Sequence, residues 1–417
     1  MAVETASGEA IDAPPETWRR DNYIPYAVSR VLSALGSQGI AIAVGWLIYD
    51  KTQSAFDLGY VGLCQFLPMV ILTFVVGNVA DRFDRRRIAL SCQIVKGITC
   101  ALLTLGIVGD WLTVPQIFLA VIVIGCAQAF EQPTMQSLVP SIVPKAQLQT
   151  ALSTTTAVTQ TATIIGPSLA GALYGFGPSI PFALATILLL VASMAVSIIR
   201  TVRGGNRKAP VTLQSVFGGV SFIANRPVLL GVISLDLFAV LLGGVTALLP
   251  IFARDILHAG PWAFGALRSA PAIGGILMSV LITRMPIRKG AGFKILGAVA
   301  AFGVFTILFS LSTNIIFSVV ALVLLGASDT ISMVVRITLV QLLTPDDMRG
   351  RVNAVNSLFV GTSNQLGAFE SGIVAGLFGT VASGVIGGIG TLLVVGLWMK
   401  LFPDLARIEA LEGQEKN

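Results

Sequence analysis

The chain is built from apolar runs of nearly one length. They cover, approximately, 24–49, 58–80, 88–109, 114–137, 149–174, 179–199, 227–253, 262–283, 292–311, 315–343, 351–378 and 381–401. Each can cross a bilayer, since about 20 helical residues span the hydrocarbon core. Helix is the form the runs must take, because lipid offers no partner to a backbone N–H or C=O. The pattern predicts an all-α polytopic membrane protein of about twelve spans. Of its 417 residues 12% are charged, against about 25% in a soluble domain.

The few charges are placed unevenly. Arg and Lys gather at Arg19-Arg20, Arg82 to Arg87, Lys145, Arg200 to Lys208, Arg284 to Lys289, Arg349 to Arg351 and from Lys400 onward. These are the termini and the even-to-odd connections. The opposite connections hold Lys51 and Arg254. Basic residues near span ends resist translocation, so both termini are predicted cytoplasmic. The net charge of +6 is explained by topology, and nucleic acid is not expected as a partner. Residues 1–21 hold Glu4, Glu9, Asp12, Glu16 and Pro14-Pro15. They read as a disordered cytoplasmic tail rather than a signal peptide. Cys64, Cys92, Cys100 and Cys126 fall in apolar runs and read as packing residues. The single histidine, His258, falls in a connection. No metal site and no cofactor are expected.

Residues 200–213 form the one clear polar linker. It divides the chain into a tail (1–21), a six-helix bundle (22–199), a cytoplasmic linker with an amphipathic helix (200–226), a second six-helix bundle (227–402) and a closing cytoplasmic tail (403–417). In the linker Leu213, Val216, Phe217, Val220 and Ile223 recur at helical spacing, the pattern of a helix lying on the inner membrane surface. The halves repeat. Gly125, Leu138, Val139 and Pro144 return 201 residues later as Gly326, Leu339, Val340 and Pro345. Gly166, Gly171 and Gly175 return at the same offset as Gly367, Gly372 and Gly376, and Gly62 and Pro68 return as Gly265 and Pro271. Two parallel six-span halves are a plan found in membrane transporters.

The connection between the second and third runs reads Gly77-Asn-Val-Ala-Asp81-Arg82-Phe-Asp84-Arg85-Arg86-Arg87. It resembles the signature loop of the major facilitator superfamily, G-x-x-x-D-R-x-G-R-R, with Asp84 in place of the second glycine. Gly77 permits close helix approach. Asp81 at a helix end can pair with Arg85 and with a helix N-terminus of the other half, with Arg82 and Arg86 completing the cluster. Such a latch would hold the cytoplasmic side shut. The plain alternative is a topogenic basic loop. The matching loop, Thr283-Arg284-Met-Pro-Ile-Arg288-Lys289, lacks the acid, so the latch is expected to be asymmetric.

Gly166-Pro167-Ser-Leu-Ala-Gly171 resembles the end of the superfamily's antiporter motif, with Ala170 at the first of its two closing glycines. Small residues there let the fifth span pack closely on a neighbour and form a sealable hinge. With Leu58 to Leu63, Leu67-Pro68, Ala129 to Pro133 and Thr344 to Val352, the chain is similar to the exporter branch that contains enterobactin-type siderophore exporters and macrolide efflux pumps. The resemblance implies the two-bundle fold, a bacterial-type cytoplasmic (inner) membrane, a monomer among membrane lipids, and a small organic substrate moved against protons by rocker-switch alternating access.

Charges inside spans each cost about 2.5–3.5 kcal/mol or more at mid-helix and are functional candidates. Arg30, Lys96, Glu131, Asp236, Arg268, Asp329, Arg336 and Glu370 all lie inside runs. Asp236 and Glu370 are the proton-coupling candidates, each a carboxyl in an otherwise apolar helix, where burial favours the neutral form. Arg30, Glu131, Gln132, Arg268, Asp329, Arg336, Asn364 and Gln365 are the cavity or substrate candidates. Asp329 and Arg336 are two turns apart on one helix face and are expected to face the central cavity. Structural pairing of Asp236 or Glu370 with Arg336 or Arg268 is the plain alternative. Trp46, Tyr49 and Trp111 read as outer-interface anchors.

These features predict a proton-coupled exporter. An uptake carrier and a lipid or lysolipid flippase of the same plan remain open. ATP coupling is disfavoured by the lack of a G-x-x-x-x-G-K-[ST] loop. A receptor or enzyme has no supporting motif. An Asp81→Asn variant is expected to insert normally and transport poorly. Full transport by a well-inserted variant, measured as flux per reconstituted molecule, would remove the latch.

Overall fold

The computed structural model describes residues 19–144, 147–199, 213–285 and 290–408; the side chains of 19, 20, 73–75, 77, 78, 80–82, 213–217, 346 and 347 lie outside that description. Twelve long helices follow the apolar runs: span 1 Ile24–Thr52, span 2 Ala55–Arg82, span 3 Arg85–Val108, span 4 Val114–Ile142, span 5 Leu148–Tyr174, span 6 Ile180–Ile198, span 7 Pro227–Leu242, span 8 Pro261–Arg284, span 9 Ala291–Ser310, span 10 Ile315–Leu343, span 11 Asp346–Phe378 and span 12 Thr380–Leu401. Among the described residues ten helical segments are long and apolar enough to cross a membrane. Spans 5 and 11 fall short for one reason: both carry runs of Thr, Ser, Asn and Gln. On span 5 the hydroxyls of Thr154, Thr155, Thr159, Thr161 and Thr163 donate to their own helix one turn back. That satisfies them without a partner helix.

Local chemistry sets the helix starts. Proline occupies the first turn of spans 1, 4, 6, 7 and 8, where its missing N–H costs nothing. Ser54 accepts from the Asp57 N–H at 3.3 Å and caps span 2, and Asn314 accepts from the Ile316 and Phe317 N–H groups at span 10. Asp84 caps span 3, its carboxylate accepting from the Arg86 N–H at 2.9 Å. Its backbone is extended, at φ −62° and ψ 116°, so this turn does not need the glycine of the family pattern.

Span 7 departs from the continuous 227–253 run expected from sequence. It stops at Leu242, and Gly243-Gly244 leads into a 3₁₀ turn, Val245–Leu248, and short helical pieces ending at Ile256. Interrupted helix survives at membrane depth only where protein or a cavity covers it. Here the backbone of Gly367 lies against Gly244, and Arg268 donates to the freed Thr246 carbonyl at 3.3 Å.

Spans 1–6 pack as one bundle, span 1 against 5 and 6, span 3 against 4 and 6, and span 2 against 4. Spans 7–12 pack as the other, span 10 against 8 and 9, span 12 against 9 and span 11 against 7. The repeat is visible in space. Gly125 faces Pro68 in the first bundle, and their equivalents Gly326 and Pro271 meet in the second. The linker helix, Leu213–Ala224, is present, but Gly219 and Ile223 are buried against span 11 and its surroundings rather than left to lipid. The stretch after 402 begins as a packed turn, with Leu405 fully buried and the Ile408 carbonyl accepting from the Gly292 N–H. Residues 200–212 and the Arg288-Lys289 loop lie outside the described residues.

The halves meet chiefly through span 2 on span 11 and span 5 on span 8. These crossings lie toward the end of the bundle opposite the termini, the far end. A Cβ at Gly171 would stand 2.6 Å from the Pro261 carbonyl oxygen and 2.9 Å from Gly265 Cα; at Gly59 it would stand 3.0 Å from the Phe369 carbonyl oxygen. Only backbone without side chains passes this closely. Ser168 and Ser269 hydroxyls share a 2.9 Å hydrogen bond across the second crossing, and Ser269 donates to the Ile164 carbonyl at 2.6 Å. Trp46 stacks on Phe264 at 5.9 Å. Toward the termini span 5 stands clear, with 152–154 and 156–158 exposed. The molecule is therefore sealed at its far end and open between the halves at the terminal end.

Gly171→Leu is expected to break the seal without unfolding either bundle. Spin labels at Thr113 and Thr313, in a cysteine-free background, should move apart in this variant. An unchanged distance distribution would show that the crossing does not hold the far end shut.

Candidate functional site

Each bundle carries a buried polar cluster at mid-depth. In the first, Lys96 Nζ lies 2.5 Å from Glu131 Oε2, with the two side chains 0% and 3% exposed. Glu131 Oε1 accepts from Ser33 at 2.5 Å and Gln93 at 3.0 Å. Lys96 also donates to Ser33, Ser37 and Gln128 at 3.2, 3.0 and 3.1 Å. Spans 1, 3 and 4 are thereby tied by one ion pair whose charges balance.

In the second bundle Arg336 Nη1 lies 2.8 Å from Asp236 Oδ2, both about 6% exposed. Arg336 also donates to Asn356 on span 11 at 3.4 Å. Asp329 lies close to both partners yet makes no ion pair or hydrogen bond among the described residues. A void of about 10 Å³, room for about one water, is lined by Asp236, Val299, Asp329 and Ser332. The Ser332 hydroxyl is buried and has no partner. Arg336 is thus paired with span 7, and the expectation that it shares the cavity wall with Asp329 is replaced by this pair.

The repeat relates the two clusters. At offsets of 201 to 203, Ser33 corresponds to Asp236, Lys96 to Val299, Gln128 to Asp329 and Glu131 to Ser332. The first bundle fills the position with its own ammonium group. The second has valine there, and its one guanidinium pairs with Asp236 and leaves Asp329 without an ion pair among the described residues.

Two mid-depth cavities lie beside these clusters. One, of about 350 Å³, is lined by spans 1, 2 and 4 together with Arg268 of span 8 and Gln365 of span 11. The other, of about 320 Å³, is lined by spans 7 to 11, including Asp329 and Asn364, with Gln160 of span 5. Both are walled by residues of both halves. Gln132, Arg268 and Gln365 line the first, and Asn364 and Asp329 the second. Glu131, Asp236 and Arg336 sit behind the walls in their pairs. Glu370 is half-buried, accepts from Ser371 at 3.4 Å and lines neither cavity. Arg30 is half-buried beside Tyr26 on span 1, away from both.

The loop residues divide. The side chains of Gly77, Asp81 and Arg82 lie outside the described ones. Arg85 donates to the Ser137 carbonyl at 3.0 Å and Arg86 to the Ile199 carbonyl at 2.9 Å, both within the first bundle. They tie span 3 to the ends of spans 4 and 6, where a cation suits exposed helix carbonyls. Gly166 packs on Gln38 of span 1, and Gly171 with the Pro167 carbonyl packs on span 8. The antiporter-like motif therefore builds the crossing between halves.

One set of residues was misjudged from sequence. Arg254 Nη1 lies 2.8 Å from Asp50 Oδ1, and the Tyr49 hydroxyl donates to Asp255. Trp46 and Tyr49 are 8% and 6% exposed. They are inter-half contacts at the far end, not lipid anchors. Trp111, half exposed, stays at the surface. The isolated charges Asp50 and Arg254, on loops otherwise poor in charge, were the available signal.

Residues 19–417 match the family of transmembrane secretion effectors. The chain is 24% identical over 383 residues to the enterobactin exporter EntS of Citrobacter koseri, covering 90% of this chain and 89% of that one. It is 23% identical over 280 residues to macrolide efflux protein A of Streptococcus pyogenes, 63% of this chain and 67% of that one. A variant of the nucleoside transporter NupG superposes with a TM-score of 0.75 at 12% identity, over 91% of this chain and 99% of its own. The fold is that of major facilitator transporters, and the chain is a multi-pass membrane protein.

Removing one partner of a buried pair leaves an uncompensated charge, at a cost of about 3–5 kcal/mol. Lys96→Met and Glu131→Gln are each expected to lower the thermal unfolding midpoint in detergent. The double variant Lys96→Met/Glu131→Met should recover most of the loss. Additive losses in the double variant would show that the two residues do not act as a pair.

Proposed function

We propose that this chain, which belongs to the transmembrane secretion effector family of major facilitator transporters, is a secondary active exporter of a small organic molecule, driven by protons. The observation that carries the reading is the pair of cavities between the halves, sealed at one end by glycine-lined crossings and open at the other. Alternating access needs this geometry: a site at mid-depth whose two ends open in turn as one bundle rocks on the other. The described basic residues Arg85, Arg86, Arg87, Arg226, Arg284, Arg349 and Arg351 belong to the terminal end. By the positive-inside rule that end is cytoplasmic, and the state described is open to the cytoplasm. Two relatives that carry outward cargo, a siderophore and macrolides by their names, support export as the direction.

Coupling is assigned to the second bundle. Arg336 pairs with Asp236, which leaves the carboxylate of Asp329 without an ion-pair partner among the described residues. A proton arriving from the outside neutralises it, and its loss to the cytoplasm restores it. Glu370, half-buried with one long hydrogen bond from Ser371, is the second candidate carboxyl, although it lines neither cavity. Glu131 is an unsuitable carrier, because Lys96 already balances it. A ligand shifts the two-state equilibrium only by its differential affinity for the two states. A proton that cancels a charge in one access state supplies such a difference.

The test is flux in proteoliposomes under an imposed pH gradient, with a panel of siderophores and macrolides. Wild-type export is expected to follow the gradient, with Asp329→Asn and Asp236→Asn losing a coupling of about 1–3 kcal/mol. Gradient dependence that survives in both of these variants and in Glu370→Gln would sink the proton assignment. Movement of the panel only toward the terminal end would make the protein an uptake carrier.

A further inference from the structure

The larger cavity has a wall of unusual uniformity. Gln38, Gln65, Gln128, Gln132 and Gln365 all line it, from spans 1, 2, 4 and 11, and Arg268 is the one charged residue among its described lining residues. No carboxylate lines it among those residues. Four of the five amides, Gln38, Gln65, Gln132 and Gln365, make no hydrogen bond among the described residues, so their polar ends are free for a ligand. The fifth is oriented: Lys96 donates to Gln128 Oε1 at 3.1 Å, which leaves the amide nitrogen, a donor, for the cavity. Arg268 carries five N–H donors, of which the Thr246 carbonyl takes one, at 3.3 Å. It forms no ion pair among the described residues. The spare donors and the uncompensated positive charge converge on a space of about 350 Å³, within the range of about 300–1,000 Å³ usual for small ligands.

We propose that this cavity is the cargo site, and that it selects anionic, oxygen-rich molecules over cations of the same shape. Arg268 holds an acidic oxygen of the ligand by a charge-assisted hydrogen bond. The glutamines bind neighbouring hydroxyl, carbonyl or phenolate oxygens. A cationic ligand would lose its hydration against a wall that offers a guanidinium and no counter-charge. The proposal deepens the transport reading, since it names the class of cargo for the same central site. It does not depend on the direction of transport or on the coupling ion.

The repeat supports a division of labour. The residue equivalent to Arg268 in the first bundle is Gln65, which lines the same cavity. The carboxylate of the central region, Asp329, lies in the wall of the other cavity. Anion-binding and acid-base groups are therefore separated, with the Thr246 segment between them, bonded to Arg268 and lining the second cavity.

Two xanthene dyes of matched shape and opposite charge provide the test. Fluorescein is anionic and rhodamine 123 cationic. Binding to the purified transporter in phosphatidylcholine nanodiscs is followed by fluorescence anisotropy, with empty nanodiscs as the blank and no gradient present. Fluorescein is expected to bind more tightly by about tenfold to a hundredfold, the equilibrium ratio of a charge-assisted hydrogen bond. Arg268→Gln should erase the preference and Arg268→Lys retain part of it. Gln65→Leu and Gln365→Leu should weaken fluorescein while leaving its preference over rhodamine 123 in place. Equal or tighter binding of rhodamine 123, or saturable binding of neither dye, overturns the proposal. So does a preference that persists in a monodisperse Arg268→Gln protein; if that variant does not fold, loss of fluorescein binding must still appear in Gln65→Leu. Rhodamine 123 export without a binding preference would sink the anion site and spare the exporter reading. Fluorescein preference without gradient-driven flux would do the reverse.

Discussion

The structure depends on how closely two pairs of helices can approach. At the crossings of span 5 with span 8 and span 2 with span 11, backbone meets backbone because Gly171, Gly265, Gly59 and Gly372 present no side chain. In lipid no hydrophobic effect drives helix against helix, so association rests on packing and on hydrogen bonds. The far end has both: glycine contacts, and the Ser168–Ser269 and Asp50–Arg254 links. Glycine contacts of this kind hold only at short range. When the bundles tilt apart by an ångström or two the contact is lost, while nothing inside either bundle has to change. A seal of this sort can open by movement between the bundles alone, which is what the proposed alternating access would require.

Polar residues follow the same division. Those inside a bundle are paired, as Lys96 with Glu131 and Arg336 with Asp236. Those lining the cavities between bundles keep spare hydrogen-bonding groups, as do Gln65, Gln365, Arg268 and Asp329, while those at the far-end seal are paired. Pairing inside the bundle limits what each buried charge costs, and it locks spans 1, 3 and 4, and spans 7, 10 and 11, into bodies that can move as units. Spare groups between bundles are tolerable because the cavities can be wet. Spans 5 and 11, too polar to qualify as ordinary membrane spans, each supply one side of a crossing between the halves and border those cavities.

Much of this was legible in the sequence. Eleven of the twelve apolar runs gave their helices to within about five residues, since run length and lipid thickness leave one solution. The repeat of Gly125, Pro68, Gly326 and Pro271 was legible as an offset, and it turned out to mark a contact repeated in each bundle. What could not be read was pairing. Lys96 and Glu131 are 35 positions apart in sequence, and their contact depends on the rotation of spans 3 and 4 about their axes, which no local pattern records. The break in span 7 was hidden for a related reason. Gly243-Gly244 lies in a run that stays apolar throughout, and the backbone of Gly367 on span 11 lies against the break. The glutamines of the cavity wall were partly missed because uncharged side chains raise no alarm in a hydropathy reading, although Gln132 and Gln365 stood out beside charged neighbours.

If transport is driven by protons as proposed, the asymmetry between the halves bears on which half couples it. Shifting a two-state equilibrium from 1:99 to 99:1 needs about 5.5 kcal/mol of differential binding. A cluster already neutral in both states contributes little to that difference, whatever its strength, because a proton finds no charge to cancel. The first bundle, with Lys96 built into the position that the second leaves to Val299, is such a cluster. In the second bundle one carboxylate charge has no permanent partner, and its cost depends on how much water reaches it. Asp329 lies in the wall of a cavity between the halves, so alternating access, as proposed, would change the water that reaches it. On the proposed reading, the energy of that single carboxyl would be tied to the motion of the halves, and the balanced pair of the first bundle would stay out of the coupling.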